Sequence, residues 1–297
     1  MPVTRTGPNS GESEGATDFV FEVAEGATLT FTGKFRASKV LNVFSVFHNQ
    51  GSIEFQGDSL FNNNGNVFRS NEGTVKFRGD VVFKNNFYLA FDNDGTDSFV
   101  RFSKTATFEN NAGSFNGASG CAISNDGTAI FRGDAVFSDH DCDEGAAVSN
   151  TGKMRFYGKA YFNDNRNWDD TGGGVINRAS VDTGLSGDLV FKAAAQFNRN
   201  NALVGGGLSA YGGSVEFEKG VTFDGNGARF NGGAFSVTNN ASVTFSKPEV
   251  VRVSDSFLFP NDYDWDPTTG CALAYVEEGA TLVGFEVDDV CEEVTIE

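Results

Sequence analysis

Hydrophobic and polar residues alternate with a period of two in short stretches that recur along most of the chain. Phenylalanines stand in pairs six residues apart, and a small or apolar residue usually stands two positions before each of them. Such alternation predicts short strands with one buried face, so both phenylalanines of a pair are expected to point into a core. The seven pairs are Phe55 and Phe61, Phe77 and Phe83, Phe102 and Phe108, Phe131 and Phe137, Phe156 and Phe162, Phe191 and Phe197, and Phe217 and Phe223.

Turn residues separate these predicted strands at fixed positions. Glycine lies two residues after the first phenylalanine in several units, where it indicates a positive φ or a close approach of backbones. Asparagine stands three residues after the second phenylalanine in most units. We expect these asparagines to satisfy backbone groups at the turn and to bond to the asparagine of the next unit. They are Asn64, Asn86, Asn111, Asn165, Asn200 and Asn226, with His140 in the remaining unit.

The spacing of the units predicts a solenoid. The first phenylalanines of successive pairs are 22 to 35 residues apart, whereas the spacing within a pair is constant. Constant units with variable insertions are typical of repeat architectures. Three strands in about 25 residues predict a right-handed single-stranded parallel β-helix of about ten coils over residues 18–297, preceded by a flexible N-terminal tail over residues 1–17. Its open end coils would favour end-to-end self-association.

Composition narrows the range of partners and compartments. The formal net charge of −18 argues against nucleic acid, since phosphate binding draws on clustered Lys and Arg. No apolar run approaches the roughly 20 residues of a transmembrane helix. The N-terminus lacks the apolar segment of a signal peptide. We therefore expect either an intracellular protein or a mature or excised segment of an exported one.

A second motif alternates with the first and carries a family resemblance. The tetrapeptides are "GCAI", "GAAV", "GGVI", "GGLS", "GGAF" and "GCAL", beginning at Gly120, Gly145, Gly173, Gly206, Gly232 and Gly270. Together with the FxxN motif they resemble the repeat of the chlamydial polymorphic membrane proteins over roughly residues 46–240. The resemblance implies a β-helical, adhesin-like passenger at the cell surface or outside the cell.

The four cysteines form two similarly spaced sets. Cys121 and Cys142 are 21 residues apart, Cys271 and Cys291 are 20 apart, and each set begins in a "GCA" sequence. Two disulfides would favour an oxidising compartment. Four buried thiols are the alternative, and they would favour an intracellular scaffold.

Two Arg-Gly-Asp sequences occur in near copies of one decapeptide. Both "FRGDVVFKNN" from Phe77 and "FRGDAVFSDH" from Phe131 place this tripeptide at the corner between the two phenylalanine strands. Integrin-like recognition is one interpretation. The interpretation that we favour is structural, because glycine and aspartate are ordinary turn residues.

Exposed aromatic and acidic residues are the remaining candidates for function. Trp168, Tyr263 and Trp265 lie in irregular insertions, which predicts partner contact. Two DxDxD clusters offer a low-specificity calcium site, although the EF-hand spacing is missing. They are Asp139, Asp141 and Asp143, and Asp262, Asp264 and Asp266.

We therefore expect a non-enzymatic extracellular or cell-surface module, adhesin-like or a structural spacer, that presents loops to a surface glycan or protein receptor. No cofactor is expected apart from possible Ca²⁺. The alternative is a carbohydrate-active enzyme, such as a lyase, hydrolase or epimerase, or a lectin on the same scaffold. The two histidines, His48 and His140, stand in no catalytic context typical of such enzymes.

Overall fold

The computed structural model describes residues 19–41, 44–113, 121–142, 147–167, 170–180, 184–247, 251–258, 273–285 and 290–292. These residues form 36 short strands and contain no helix. The predicted tail over residues 1–17 lies outside them. Within the described part of the chain, no apolar helix of membrane-spanning length occurs.

The strands repeat in the same order along ten coils. The first three coils hold β1 (Phe19–Val23), β2 (Thr28–Phe31), β3 (Phe35–Ser38); β4 (Ser45–Asn49), β5 (Ser52–Phe55), β6 (Ser59–Asn62); and β7 (Phe68–Asn71), β8 (Thr74–Phe77), β9 (Val81–Lys84). Coils four to six hold β10 (Phe91–Asn93), β11 (Phe99–Phe102), β12 (Ala106–Glu109), β13 (Ala112–Gly113); β14 (Ile123–Asn125), β15 (Thr128–Phe131), β16 (Ala135–Ser138), β17 (Asp141–Cys142); and β18 (Val148–Asn150), β19 (Lys153–Phe156), β20 (Ala160–Asn163), β21 (Arg166–Asn167). Coils seven to nine hold β22 (Val175–Arg178), β23 (Asp188–Phe191), β24 (Ala195–Asn198), β25 (Asn201–Val204); β26 (Leu208–Tyr211), β27 (Ser214–Phe217), β28 (Val221–Asp224), β29 (Gly227–Asn231); and β30 (Phe235–Thr238), β31 (Ser242–Phe245), β32 (Val251–Ser254), β33 (Phe257–Leu258). The tenth coil holds β34 (Ala274–Val276) and β35 (Thr281–Val283), and β36 (Val290–Glu292) follows.

Equivalent strands of successive coils pair in parallel and form long sheets. The first strands of the coils make an 11-stranded sheet A, the second strands a 10-stranded sheet B, and the third strands a 9-stranded sheet C. The predicted parallel β-helix is thus confirmed. Coils four to nine also contain a fourth strand, mostly of two residues, and these strands make a 6-stranded sheet D. The sequence predicts only three strands in each coil, because two extended residues are too few to show a period.

The interior is a set of stacked phenylalanine rings. Phe131 stacks on Phe156 with ring centroids 4.6 Å apart, and Phe137 stacks on Phe162 at 5.0 Å. The two stacks meet edge to face, as between Phe131 and Phe137 at 5.9 Å and 74°. Both geometries are favourable for aromatic quadrupoles. The inward orientation predicted for the phenylalanine pairs is confirmed, since all fourteen are almost fully buried.

The corner glycines allow successive coils to stack closely. A Cβ atom at Gly79 would lie 2.5 Å from the carbonyl carbon of Gly57, and one at Gly133 would lie 2.3 Å from that of Lys104. Neither distance is possible for a real side chain. The close backbone approach predicted for these glycines is therefore confirmed.

Two asparagine ladders run along the rod. In the predicted FxxN ladder, the Nδ2 of Asn165 donates to the Oδ1 of Asn200 at 2.9 Å, and the Nδ2 of Asn200 donates to the Oδ1 of Asn226 at 3.0 Å. A second asparagine ladder lies near the C-terminal ends of the sheet A strands, where successive side chains are joined by hydrogen bonds of 2.6 to 2.7 Å. It was not predicted, although an Asn-x-Gly spacing marks most of its members. These are Asn49, Asn71, Asn93, Asn125, Asn150 and Asn177.

Cys121 and Cys142 form one of the two predicted disulfides. Their Cα atoms lie 6.0 Å apart, and the bond joins the start of coil five to its fourth strand, β17. Cys271 lies outside the described residues. Cys291 lies in β36, but its side chain is also outside them. The second disulfide therefore stays a prediction.

Candidate functional site: a groove between sheets C and D

One backbone position in each coil turns the chain from sheet C to sheet D. In coils two to eight it lies two residues after the second phenylalanine and directly before the ladder residue, which is an asparagine or His140. The residues there have φ between 49° and 61°, a left-handed conformation that Asn, Asp and Gly tolerate best. Because the next residue points inward, side chains at this position face outward in a row. The members are Lys39, Asn63, Asn85, Asn110, Asp139, Asp164, Arg199, Gly225 and Asp255.

The middle of this row borders a groove of about 760 Å³. Its walls come from the left-handed row and from the first residues of the sheet D strands. Polar and charged side chains dominate, and Phe257 contributes an aromatic ring. The lining residues are Asn110, Asp139, His140, Asp141, Asp164, Arg166, Arg199, Asn201, Gly225, Asp255 and Phe257.

Both acidic and basic side chains line the groove. The guanidinium of Arg199 donates to both carboxylate oxygens of Asp164, from Nη2 at 2.6 Å and from Nε at 2.7 Å. This contact raises the pKa of Arg199, with a smaller contribution from Asp139. Asp141 and Arg166 are neighbours in register on adjacent strands of sheet D. The groove can therefore offer both donors and acceptors to a polar ligand.

His140 forms the floor of the groove and replaces an asparagine of the FxxN ladder. Its Nδ1 accepts a hydrogen bond from the backbone N–H of Asn111 at 3.1 Å, while its Nε2 has no hydrogen-bond partner among the described residues. Burial lowers the pKa of His140 to about 4, and the carbonyl groups of Asn111 and Phe108 act only weakly in the opposite direction. The imidazole is therefore neutral at pH 7, and only 1% of its surface is exposed.

The sequence segments that contain the predicted aromatic residues directly follow two strands of sheet D. Strand β21 contributes Arg166 to the groove and continues into residues 168 and 169. The side chain of Asn167 closes this insertion, because it donates to the carbonyl of Thr171 at 3.0 Å and accepts from the N–H of Asp170 at 3.1 Å. Strand β33 contributes Phe257 and continues into residues 259–272. Both predicted aromatic insertions thus begin at strands that line the groove.

The predicted candidates fall partly inside the described structure. Asp139 and Asp141 both line the groove. The described residues contain no group of three or more His, Cys, Asp or Glu side chains that could hold a metal ion. The guanidinium groups of Arg166 and Arg199 in the same groove also oppose a bound cation. The candidates outside the described residues are Trp168, Tyr263, Trp265, Asp143, Asp262, Asp264 and Asp266.

The two Arg-Gly-Asp corners are occupied by contacts between coils. Arg78 pairs with Glu54 at 3.3 Å, and Arg132 lies 3.9 Å from the centre of the Tyr157 ring. Each aspartate accepts a backbone N–H of the following coil, Asp80 at 3.1 Å and Asp134 at 2.9 Å. The tripeptide is thus explained by the packing of the corner.

Several groove residues were not predicted from the sequence. Asp164, Arg199 and Asp255 share the left-handed position, and Arg166 follows it by two residues. The sequence did contain one signal for the row. The residue two positions after the second phenylalanine varies in type between units, whereas the residue directly after this position is an asparagine or His140.

Comparison with known proteins found no matching family model, no matching curated protein and no matching solved structure.

Proposed function

We propose that this protein is a non-enzymatic binding module of the cell surface or extracellular space, adhesin-like in action. In this function the β-helix is a stiff support, and the partner is a surface glycan or protein bound at the groove between sheets C and D together with the insertions that begin there. The resemblance to the chlamydial repeat agrees with this proposal.

One observation carries the proposal: the strands that line the groove are also the strands from which the aromatic insertions begin. Arg166 and Phe257 line the groove, and the segments with Trp168 and with Tyr263 and Trp265 follow them directly in the chain. Polar groove residues with aromatic neighbours are a common composition of binding surfaces. The underlying ladders keep the backbone constant, so side chains on this edge can vary without loss of the fold.

The ionic state of the groove favours binding over hydrolysis. A glycosidase needs one carboxyl group that donates a proton and a second that acts as base or nucleophile. Asp164 is held by two hydrogen bonds from Arg199, and His140 is too deeply buried to reach a substrate proton. The alternative, a carbohydrate-active enzyme or lectin, is favoured by the four aspartates and the size of the groove.

A glycan array, run with and without Ca²⁺ and paired with an assay for released reducing or unsaturated sugar ends, tests the proposal. We expect binding without turnover, and we expect Trp168→Ala and the groove variant Arg199→Gln to weaken it. Lys39→Gln, which removes one exposed cation from the first coil, is the matched control. Sugar release would contradict the non-enzymatic function. Binding unchanged in Trp168→Ala and Arg199→Gln would contradict the assignment to the groove.

A further inference from the structure

The corner between sheets B and C carries the opposite charge from the molecule as a whole. The chain has a formal net charge of −18. Between coils three and six, however, six cationic side chains that form no ion pair within the described structure project from this corner and the adjoining outer face of sheet B. We call this surface the basic edge; it comprises Lys76, Arg101, Lys104, Arg132, Lys153 and Lys159.

The cations of the basic edge are not neutralised by the fold. None of the six forms an ion pair with a carboxylate in the described part of the chain. Glu54 lies in register beside Lys76 and Asp188 beside Lys153, but these two carboxylates pair with Arg78 and Arg155. Asp80 and Asp134 lie on the same stretch of corner. Those two carboxylates already accept backbone N–H groups. The edge is therefore a local excess of positive charge on an acidic protein.

The β-helix arranges these cations along the rod axis. Lys76 and Arg101 are neighbours in register in sheet B, and Ile130 and Arg155 continue the same outward row. Parallel strands repeat at about 4.8 Å, so Lys76 and Arg101 present adjacent charges, and Arg132 and Lys153 continue the basic edge through coils five and six. A linear polymer lying parallel to the rod could contact every coil.

Arg101 has an unused hydrogen-bond donor at the centre of the basic edge. Its Nε is buried and has no acceptor among the described residues. A buried donor without a partner costs free energy, so a turn of the Arg101 side chain that brings Nε to an anionic group at the surface would remove that cost.

We propose that the basic edge binds a linear sulfated polysaccharide that lies along the rod axis. Sulfate groups suit the Arg and Lys side chains because they offer several acceptors to each cation. The inference rests on the proposed function in that it takes the rod to be a glycan-binding module. It concerns a different surface, since the groove lies at the other end of the sheet C strands.

The structure favours a polysaccharide over nucleic acid. Binding of single strands draws on aromatic rings on which bases stack. The exposed ring on this edge, Tyr157, is covered by the guanidinium of Arg132 at 3.9 Å. Duplex recognition needs an element that enters a groove, whereas the edge is a flat sheet border.

The test measures binding of the full chain to dextran sulfate, polygalacturonate and a DNA duplex between 50 and 200 mM NaCl. We expect the triple variant Lys76→Gln, Arg101→Gln, Lys153→Gln to bind dextran sulfate about tenfold or more weakly, with a shallower salt dependence. The control triple Lys39→Gln, Arg229→Gln, Arg252→Gln has the same net charge. We expect it to stay within about twofold of the unaltered protein.

Equal loss in both triples would overturn the inference, because binding would then depend on net charge alone. Tighter binding of polygalacturonate or DNA than of dextran sulfate would overturn the choice of ligand. The groove variant Arg199→Gln separates the two proposals: it should leave dextran sulfate binding unchanged, while the edge triple should leave binding of the groove's ligand unchanged.

Discussion

The backbone N–H of Asn111 donates to the imidazole Nδ1 of His140, in the place where every neighbouring rung of the ladder uses an asparagine oxygen. The imidazole accepts this bond as an asparagine would. It does not reproduce the second one: Asn165 and Asn200 each donate from Nδ2 to a phenylalanine carbonyl of the preceding coil, whereas Nε2 of His140 has no partner within the described structure. The side chain of His140 therefore makes fewer hydrogen bonds than an asparagine of the ladder.

Replacement of His140 by asparagine should stabilise the protein, most strongly in acid. The unfolded histidine has a pKa near 6.5 and the folded one about 4. As the pH falls between these values, the unfolded chain binds a proton that the folded chain does not. The free energy of unfolding should thus fall by up to about 3 kcal/mol, with the loss complete below pH 4. Urea denaturation between pH 7.5 and 4 measures this loss.

The control for this prediction is His48→Asn, which removes the other histidine and leaves the ladder intact. The acid-dependent loss should persist in that variant, because His140 remains. If His140→Asn shows the same pH dependence as the unaltered protein, the buried neutral imidazole is not its cause.

Loss of one rung from the sheet A ladder should be costly. Asn150 accepts from the Nδ2 of Asn125 at 2.7 Å and donates to the Oδ1 of Asn177 at the same distance. Asn150→Ala removes both of these bonds from a buried ladder, although Asn125 and Asn177 keep their Nδ2 bonds to backbone carbonyls, so we expect a loss of about 2 to 4 kcal/mol of unfolding free energy. Asn163→Ala is the control, since Asn163 bonds to Asn198 at the surface and should cost under about 1 kcal/mol. Chemical denaturation measures the unfolding free energy of both variants. Similar losses would contradict the argument that burial makes the bonds of the ladder more costly to lose.

The sequence predicts the parts of the fold that recur at constant spacing. The phenylalanine pairs predicted the strands of sheets B and C, and Asn165 and its equivalents predicted a ladder that the structure contains. Sheet D was not predicted because a strand of two residues such as Asp141–Cys142 has no measurable alternation. Its position depends on the register imposed by the neighbouring coils.

The candidate site was harder to predict for a related reason. The groove brings together Asp139, Asp164 and Arg199, which are 25 and 35 residues apart in sequence but lie on successive coils. In the sequence, the only feature that these three residues share is their position two residues after the second phenylalanine of a pair. The charge excess of the basic edge is likewise hidden in an overall charge of −18, since it depends on which residues face outward on one side.

The structural interpretation of the Arg-Gly-Asp corners predicts that their glycine cannot be replaced. A Cβ at Gly133 would meet the backbone of Lys104 at 2.3 Å, so Gly133→Ala should separate the coils and cost about 1 to 3 kcal/mol or more. Gly33 holds the equivalent corner in the first coil, where nothing lies within 4 Å of an added Cβ. Gly33→Ala should therefore be nearly neutral. Equal midpoints of thermal unfolding for both variants would contradict the packing argument.

Reduction of the disulfide should destabilise coil five. The bond between Cys121 and Cys142 closes a loop of 21 residues, and a loop of this size corresponds to about 3 kcal/mol in the chain-entropy description. We expect the double variant Cys121→Ser, Cys142→Ser to unfold at lower denaturant concentration and to lose its response to reducing agent.

The double variant Cys271→Ser, Cys291→Ser tests the second predicted bridge in the same experiment. If that bridge forms, this variant should also lower the midpoint, and the fully oxidised protein should react with no thiol reagent after unfolding. Two reactive thiols that disappear in this double variant would show that Cys271 and Cys291 are free. Four would contradict the disulfide in coil five, because both of its sulfur atoms would then be reduced.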